Sequence, residues 1–329
     1  MPHRNAPQQD RLQRAHRSLE GLSVGDAFGE QYFMSWDMIR SVLRSEDRPG
    51  PPYDFTDDEF MARLIHKRRL PEPDRWRFTD DTQMALSVVE NLRRFGEINQ
   101  DELAHSFSLH YDNTRGYGAG MHSLLPRLVH EPWQTAATSL FDGQGSFGNC
   151  AAMRAAPIGA YFADDLEAAA ENARRSAVVT HAHPEAICGT IAVAIAAACA
   201  WRQRDESSID GRRYMNDILE FVPESEVRDG IKFARGMLDD STLEEAVGVL
   251  GNGERVSAQD TVPFCLWCAA QHLKNYEEAI WLTVSGLGDR DTTCAIVGGI
   301  VAAGSGTAGI PPMWRESRED LPSWPLEEE

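Results

Sequence analysis

The sequence predicts an all-α protein that folds as a single compact multi-helix domain. Apolar residues recur at helical spacing, or helix formers are dense, in eleven segments, and the period-two alternation typical of strands is scarce. With 42% apolar residues, the 329-residue chain can bury a sizeable core. The predicted helices cover residues 11–28, 79–95, 100–112, 165–179, 184–201, 213–221, 224–238, 241–250, 261–273, 277–284 and 291–303.

Two of these helices are built mainly from small residues. Residues 188–200 read CGTIAVAIAAACA, and the segment that starts at residue 291 reads DTTCAIVGGIVAAGSGTAG. Small side chains let helix axes approach closely, so both helices are predicted to lie in a tight central bundle. The apolar run over residues 186–200 is shorter than the roughly 20 residues that span a bilayer, which favours a core helix and no membrane partner.

The predicted domain covers residues 14–314, between a polar and flexible N-terminus (1–13) and an acidic C-terminal tail (315–329). The N-terminus has no apolar run of the kind found in secretory signals. The six cysteines do not suggest a disulfide framework, so we expect a reducing, cytoplasmic location. Residues 31–77 and 111–149 break the helical pattern and are predicted to be long loops, the second of them functional.

The formal charge is strongly acidic, 32 basic minus 51 acidic residues, or −19. The one cluster of basic residues is short, Lys67-Arg68-Arg69, and nucleic-acid binding needs a larger basic face, so no nucleic acid is expected as partner. A phosphate-bearing substrate would require locally concentrated positive charge. A bound metal ion would supply it.

Two aspartate clusters stand at predicted helix starts. Thr79-Asp80-Asp81 precedes an apolar periodic run, where a Thr cap and acids in the first turn are also ordinary helix-start signals. Thr56-Asp57-Asp58 has the same pattern, so the string alone does not identify a site.

The second cluster, Asp289-Arg290-Asp291-Thr292, also opens a helix. If the two clusters met, four carboxylates would repel one another unless cations neutralised them. Ligands that are all oxygen favour Mg²⁺, Mn²⁺ or Ca²⁺ over zinc. Spacing does not show whether the clusters meet in space.

A glycine-rich loop, residues 145–149, leads into a helix-like start and could cradle a diphosphate with its backbone amides, although a plain turn fits equally well. His181 lies in Thr180-His181-Ala182-His183-Pro184, just before a helix. No matching ligands follow for a zinc site. A histidine that orients a substrate phosphate or ribose, or one that caps the helix, fits better.

Taken in order, six motifs resemble the ADP-ribosylglycohydrolase family over residues 14–314. They are Gly21-x-x-x-Gly25-Asp26-Ala27-Phe28-Gly29, Thr79-Asp80-Asp81-Thr82-x-Met84-Ala85-Leu86, Arg115-Gly116-Tyr117-Gly118, Gly148-Asn149-x-Ala151-Ala152-Met153-Arg154-x-Ala156-Pro157-x-Gly159, Thr180-His181-x-His183-Pro184 and Gly288-Asp289-x-Asp291-Thr292. Each motif is weak alone, and their order makes the resemblance specific.

The resemblance implies an all-helical domain with a central dinuclear site that holds two Mg²⁺ or Mn²⁺ ions. It implies a hydrolase that releases ADP-ribose from an ADP-ribosylated protein or other conjugate, with arginine favoured as the acceptor. The implied metal ligands are Thr79, Asp80, Asp81, Asp289, Asp291 and Thr292. The implied substrate-binding residues are Tyr117, Gly118, Gly145, Ser146, Phe147, Gly148, Asn149 and His181.

We expect the anomeric carbon to gain oxocarbenium character, with Asp80 or Asp81 as the general base toward water. Many members of the family carry a glutamate seven residues after the aspartate of the first motif, and Phe33 stands at that position here. Glu30 lies three residues earlier and is expected to face elsewhere. Two alternatives stay open: a catalytically weak or inactive member that only holds ADP-ribose or blocks a partner, and a two-metal phosphohydrolase acting on nucleotide diphosphates.

Overall fold

The computed structural model describes residues 7–33, 57–70 and 75–325. Over these ranges the chain is helical without a β-strand, and the sheet-like pairing is limited to two isolated bridges, Trp76 with Arg318 and Gly148 with Ser257. The all-α prediction is therefore confirmed. The helices are α1 (Gln8–Glu30), α2 (Asp57–His66), α3 (Asp80–Phe95), α4 (Gln100–Leu109), α5 (Ala119–Leu124), α6 (Trp133–Thr138), α7 (Leu140–Gly143), α8 (Cys150–Met153), α9 (Ala156–Tyr161), α10 (Leu166–Val178), α11 (Pro184–Arg202), α12 (Gly211–Leu219), α13 (Glu226–Gly236), α14 (Leu243–Leu250), α15 (Ala258–Gln271), α16 (Tyr276–Val284), α17 (Arg290–Ser305) and α18 (Pro312–Ser317).

All eleven predicted helices are present, and side-chain caps determine where several of them start. Asn99 accepts from Glu102 N at the start of α4, and Asp165 accepts from Ala168 N at the start of α10. The prediction that residues 111–149 form a long loop is wrong, because α5 to α7 lie there together with a 3₁₀ turn. Helices of four to six residues are too short to show the apolar period used for the prediction.

Helices α1 and α17 form the most extensive helix pair of the bundle. Three glycines one turn apart on α1, Gly21, Gly25 and Gly29, lie against the α17 backbone. A Cβ at Gly25 would lie 2.2 Å from the carbonyl oxygen of Cys294, so only glycine permits this separation. This pair brings Asp26, which lies on α1, close to the start of α17, where Asp289 and Asp291 lie.

Helix α11 runs through the middle of the bundle, as its small residues predicted. Ala186, Ala192 to Ala198 and most residues between them are buried. It is the one helix among the described residues that is long and apolar enough to cross a membrane, and 78% of its apolar window is buried inside the molecule. That burial is typical of a core helix.

Both predicted terminal segments are partly built into the domain. Residues 8–13 belong to α1. At the other end, Trp314 is buried and Arg315 and Arg318 pair with Glu20, so residues 315–325 are packed chain and not a free acidic tail. Residues 1–6 and 326–329 lie outside the described residues, as do 34–56 and 71–74 within the loop predicted over 31–77.

Candidate metal centre and active site

The first aspartate cluster sits at the start of α3. Thr79 is the N-cap residue in extended conformation, and its hydroxyl accepts from Asp81 N at 3.4 Å. Asp80 and Asp81 occupy the first turn and are both buried. The helix start thus directs two carboxylates inward, into the bundle, where helix-start acids usually face solvent.

Asp26 of α1 accepts hydrogen bonds from the residues that start this helix. Its fully buried carboxylate accepts from Thr79 N at 3.0–3.1 Å, from Thr79 Oγ1 at 2.8 Å, and from Thr82 N and Oγ1 at 3.1 and 2.5 Å. Asp26 is not among the predicted site residues. It is a single carboxylate in the small-residue segment Gly21 to Gly29, and because burying a charge is costly, its presence there indicates a functional role.

The second cluster comes to the same place through α17. Asp289 is the N-cap residue of that helix, and its N–H donates to Asn252 O at 3.2 Å. The Thr292 hydroxyl lies 3.4 Å from Asp81 Oδ2, which joins the two clusters. Carboxylate oxygens of Asp26, Asp81 and Asp291 lie within 4.8 Å of one another. The structure therefore brings together residues from the beginning, the first third and the end of the chain.

Electrostatic repulsion and burial act on all of these acids. Burial, with the charge of Asp291 second, raises the pKa of Asp26 to about 7 despite the opposing hydrogen bonds from Thr82 and Thr79. The pKa values of Asp80, Asp81 and Asp289 are raised well above the usual range, first by desolvation and then by neighbouring aspartates. Such a group of acids is costly unless cations balance it.

The donor set fits divalent metal ions. Oδ1 of Asp81 is buried and has no hydrogen-bond partner among the described residues, which leaves a carboxylate oxygen available to a cation. All the converging donors are carboxylate or hydroxyl oxygens, the ligands that hard cations prefer. Asp26, Asp81 and Asp291 are the residues best placed to hold such an ion.

The stability gained on metal binding should increase with pH. In the metal-free protein the pKa of Asp26 is about 7, above its value near 4 in an unfolded chain, so its contribution to stability is complete below about pH 4 and is lost as the pH rises to about 7. If the cluster binds a divalent ion, the rise in Tm that the ion causes is expected to grow from about pH 5 to about pH 7.5, measured by thermal scans. A metal-induced shift that is the same at every pH would contradict this electrostatic origin.

Asn149 contacts the second aspartate cluster. It is buried, and its side-chain amide donates to Asp289 Oδ2 at 2.7 Å and to Thr261 Oγ1 at 3.0 Å. An amide that holds a ligating carboxylate fixes that carboxylate's orientation. The structure thus places Asn149, which was predicted to bind substrate, behind Asp289.

His181 lies beneath the glycine loop, also buried. Its Nδ1 is 2.8 Å from Thr180 Oγ1, and burial together with the Arg154 guanidinium lowers the pKa of the imidazole well below its usual range. A Cβ at Gly148 would come within 3.2 Å of His181 Nε2, so the neutral imidazole packs directly against the loop at Gly148.

The glycine loop exposes one large side chain. Gly145 has a φ of +75° and is buried, as is Ser146, while Phe147 is 41% exposed. The amides of Ser146 and Phe147 have no acceptor within the described part of the chain, whereas Gly148 N donates to Ser146 Oγ and Asn149 N to Val256 O. The loop thus combines two amides without an acceptor among the described residues and one exposed aromatic ring.

Phe141 stands beside Phe147, with ring centroids 6.2 Å apart. Its backbone has a left-handed φ of +52°, followed by Asp142 at +58°, conformations that are unfavourable for side chains with a Cβ. The ring is 54% exposed. Phe141 lies in a stretch without a motif, so the sequence alone does not point to it.

Tyr117 and Gly118 lie in a second loop, which follows α4. Tyr117 is buried and its hydroxyl donates to Gln83 Oε1 at 2.8 Å, while Gly118 is exposed at the start of α5. Two residues of this loop contact the first cluster: the Arg115 carbonyl accepts from Asp80 N at 2.8 Å, and a Cβ at Gly116 would lie 3.7 Å from Asp80 Oδ1. The loop packs directly on the first cluster.

The family's glutamate position holds Phe33 in this chain, and the acid of α1 that lies near the cluster is Glu30. Burial, followed by the charges of Asp291 and Asp26, raises the pKa of Glu30 to about 7. Phe33 is exposed and packs against the Arg290 guanidinium, 4.7 Å from its ring centroid. Helix α1 continues to Glu30, which keeps the same face as Asp26 four residues earlier.

The fold and this cluster define an all-α protein with a candidate divalent-metal centre. The profile of the ADP-ribosylglycohydrolase family matches residues 7–327. Human ADP-ribosylhydrolase ARH3 is 26% identical over 344 residues, which cover 94% of this chain and 90% of the human protein. The bovine ADP-ribosylhydrolase ARH3 is 28% identical over 352 residues, 94% of this chain and 89% of its own.

An uncharacterised protein of Archaeoglobus fulgidus is 28% identical over 309 residues, which cover 91% of this chain and 90% of the archaeal one. A solved structure of an ADP-ribosylglycohydrolase-related protein complex matches the fold with a TM-score of 0.61 at 22% identity, over 94% of both chains. The chain belongs to the ADP-ribosylglycohydrolase family. Membership supports hydrolase activity on ADP-ribosylated substrates.

Proposed function

We propose that this protein uses two Mg²⁺ or Mn²⁺ ions to hydrolyse the glycosidic bond between ADP-ribose and a modified arginine side chain. The observation that carries the proposal is the meeting of Asp26, Asp81 and Asp291 within 4.8 Å, with one oxygen of Asp81 left without a partner. Thr79, Asp80, Asp289 and Thr292 surround this group and complete the proposed ligand set. Divalent cations bound there would supply Lewis acidity and positive charge beside the scissile bond.

ADP-ribose is proposed to lie across the glycine loop. Phe147 and Phe141 are adjacent exposed rings and offer a stacking surface for the adenine base. The free amides of Ser146 and Phe147 would donate to the diphosphate, which explains how an acidic protein can bind a dianion. This arrangement directs the distal ribose toward the aspartate cluster.

The proposed proton transfers use Asp80 and Glu30. Asp80 lies beside Gly116 at the edge of the cluster, while Asp81 Oδ2 is within hydrogen-bond distance of Thr79 Oγ1, so Asp80 is the freer general base toward the attacking water. As the bond from the anomeric carbon to nitrogen breaks, the water oxygen bonds to that carbon. The carboxyl of Glu30, with a pKa of about 7, would donate a proton to the leaving guanidine nitrogen.

The acceptor is proposed to be arginine because the leaving-group side of the cluster is acidic. Glu30 is half-buried at that edge, and the carbonyl oxygen of its carboxyl group can accept a hydrogen bond from a guanidinium. The test is turnover of ADP-ribosyl-arginine and ADP-ribosyl-serine peptides at equal concentration. Faster release from arginine supports the acceptor proposal, and release from serine alone overturns it. Tight ADP-ribose binding without turnover of either peptide would favour the binding-protein alternative.

A cytoplasmic location is proposed together with this activity. All six cysteines are free thiols, and five of them are buried. Cys265 and Cys268 lie one turn apart on α15, where burial raises the pKa of both thiols. Inert, unpaired cysteines are typical of proteins in reducing compartments.

Removal of the Phe147 ring should weaken binding of ADP-ribose. We expect Phe147→Ala to raise KM about tenfold, because stacking of a base on an aromatic ring is worth about 1–3 kcal/mol, with a smaller change in kcat. Phe233→Ala, at an exposed ring on α13, is the matched control and should leave KM unchanged. Steady-state kinetics on both variants check this. A fall in kcat at unchanged KM would contradict a stacking role.

A further inference from the structure

Residues 317–319 of the C-terminal segment run beside residues 76–78, which lead into the first aspartate cluster. Trp76 N donates to Ser317 O at 2.7 Å, and Glu319 N donates to Trp76 O at 2.9 Å. Trp76 and Phe78 are themselves buried. Residues 317–319 are therefore hydrogen-bonded to Trp76, three residues before Thr79.

The Glu319 carboxylate joins this pairing to a second loop. Its Oε1 accepts from Phe78 N at 2.9 Å and from the guanidinium of Arg115. The same guanidinium donates to Phe78 O at 2.9 Å and lies over the Phe78 ring, 3.9 Å from its centroid. A carboxylate that accepts from a backbone amide and an arginine together makes strong, charge-assisted bonds.

Arg115 carries this connection to the site. Its carbonyl accepts from Asp80 N at 2.8 Å, and the next residue, Gly116, packs on the Asp80 carboxylate. Side chains of Arg115 and Glu319 are only 16% and 23% exposed, so the interaction is poorly screened by solvent. Glu319 thus holds both the start of α3 and the loop of Tyr117 and Gly118.

We propose that Glu319 is a positioning residue that fixes the Arg115–Gly118 loop against Thr79 and Asp80, in the geometry that metal and ADP-ribose binding require. The part of this role that concerns ADP-ribose rests on the proposed function, whereas the part that concerns metal binding rests on the aspartate cluster alone. Without Glu319, the Arg115 side chain would keep Phe78 O and its longer, more exposed pair with Asp112 at 3.7 Å, but it would lose its closest counter-charge. The loop would then be held less firmly against Asp80.

The neighbouring Asp320 provides the matched control. Its carboxylate pairs with Arg75 at 3.0 Å, but the two side chains are 83% and 61% exposed. Exposed ion pairs contribute little, so removing this charge should have no effect on the site. Asp320→Asn therefore changes charge on the same segment without changing the connection to Arg115.

The test compares Glu319→Ala, Glu319→Gln and Asp320→Asn with the wild-type full chain. In the metal-free protein, hydrogen–deuterium exchange over residues 114–118 should accelerate about tenfold in Glu319→Ala. The Kd for Mn²⁺, measured by calorimetry, and the KM for an ADP-ribosylated peptide should each rise about tenfold. Glu319→Gln, which keeps the acceptor for Phe78 N, should show smaller changes in all three, and Asp320→Asn none.

A lower Tm in Glu319→Ala with unchanged exchange and unchanged Mn²⁺ Kd would overturn the proposal, since Glu319 would then only stabilise the fold. If Glu319→Ala does not fold, the same exchange and Mn²⁺-binding measurements on Glu319→Gln and Arg115→Lys test the proposal, because both variants keep most of the packing. Exchange and Mn²⁺ binding need no substrate. If they respond as expected while the wild type releases no ADP-ribose, the proposed function fails and the positioning role stands.

Discussion

Asp291→Ala is expected to abolish ADP-ribose release and metal binding while the fold is retained. Asp291 supplies one of the three carboxylates that converge within 4.8 Å. Loss of groups that merely orient a ligand costs about 10–100-fold, so loss of a ligand should lower kcat/KM by more than about a hundredfold. Because a repelling charge is removed from the group around Asp26, Asp80 and Asp81, the Tm in EDTA should stay equal or rise.

Asp229→Asn is the matched control for this variant. Asp229 also lies in the first turn of a helix, α13, but it is exposed and pairs with Lys232. It should retain full activity and Mn²⁺ affinity. Full activity in Asp291→Ala would contradict the metal centre, and a collapse of Tm without metal would show that Asp291 is needed for folding instead.

Gly25→Ala is expected to have the largest effect on stability. The added Cβ would meet the Cys294 carbonyl oxygen at 2.2 Å, a backbone atom that cannot rotate away, so α1 and α17 would have to separate. Overpacking typically costs about 1–3 kcal/mol of the free energy of unfolding, and a clash with a backbone atom is expected to lie at the upper end of that range. The same shift would move Asp26 away from Asp291, so metal affinity should fall as well.

Gly248→Ala on α14 tests the same substitution where there is space. No heavy atom lies within 4 Å of its added Cβ, and alanine is the better helix former by about 0.5–1 kcal/mol. Urea unfolding should show a small gain in stability for Gly248→Ala and a large loss for Gly25→Ala. Equal behaviour of the two variants would contradict the close packing of α1 on α17.

The fold was predictable because long amphipathic or small-residue helices leave strong periodic signals. Residues 184–201 and 291–303 were predicted from composition alone and form α11 and α17 within a few residues of those bounds. The short helices between 111 and 149 were not predictable, since four to six residues complete barely one turn. The packed C-terminal segment was missed because its contacts, such as Glu319 with Arg115, are between residues far apart in sequence.

The candidate site was predictable as motifs, but their geometry was not. Thr79-Asp80-Asp81 could not be told from its look-alike at residues 56–58 by spacing, and the structure distinguishes it by placing Asp81 beside Thr292. Asp26 was overlooked because a lone buried acid in a glycine stripe forms no cluster in the sequence. Glu30 was expected to face elsewhere because it lies three residues before the family's glutamate position, although one helical turn places it on the same face as Asp26.

The most direct test of the metal-dependent hydrolase is analysis of the products released from an ADP-ribosylated peptide. The full-length protein is incubated with the peptide after chelator treatment, and again after Mg²⁺ or Mn²⁺ has been restored. We predict free ADP-ribose and unmodified peptide only when metal is present. Equal release in the presence of chelator, or AMP and ribose phosphate as the products, would contradict the proposed function of the aspartate cluster.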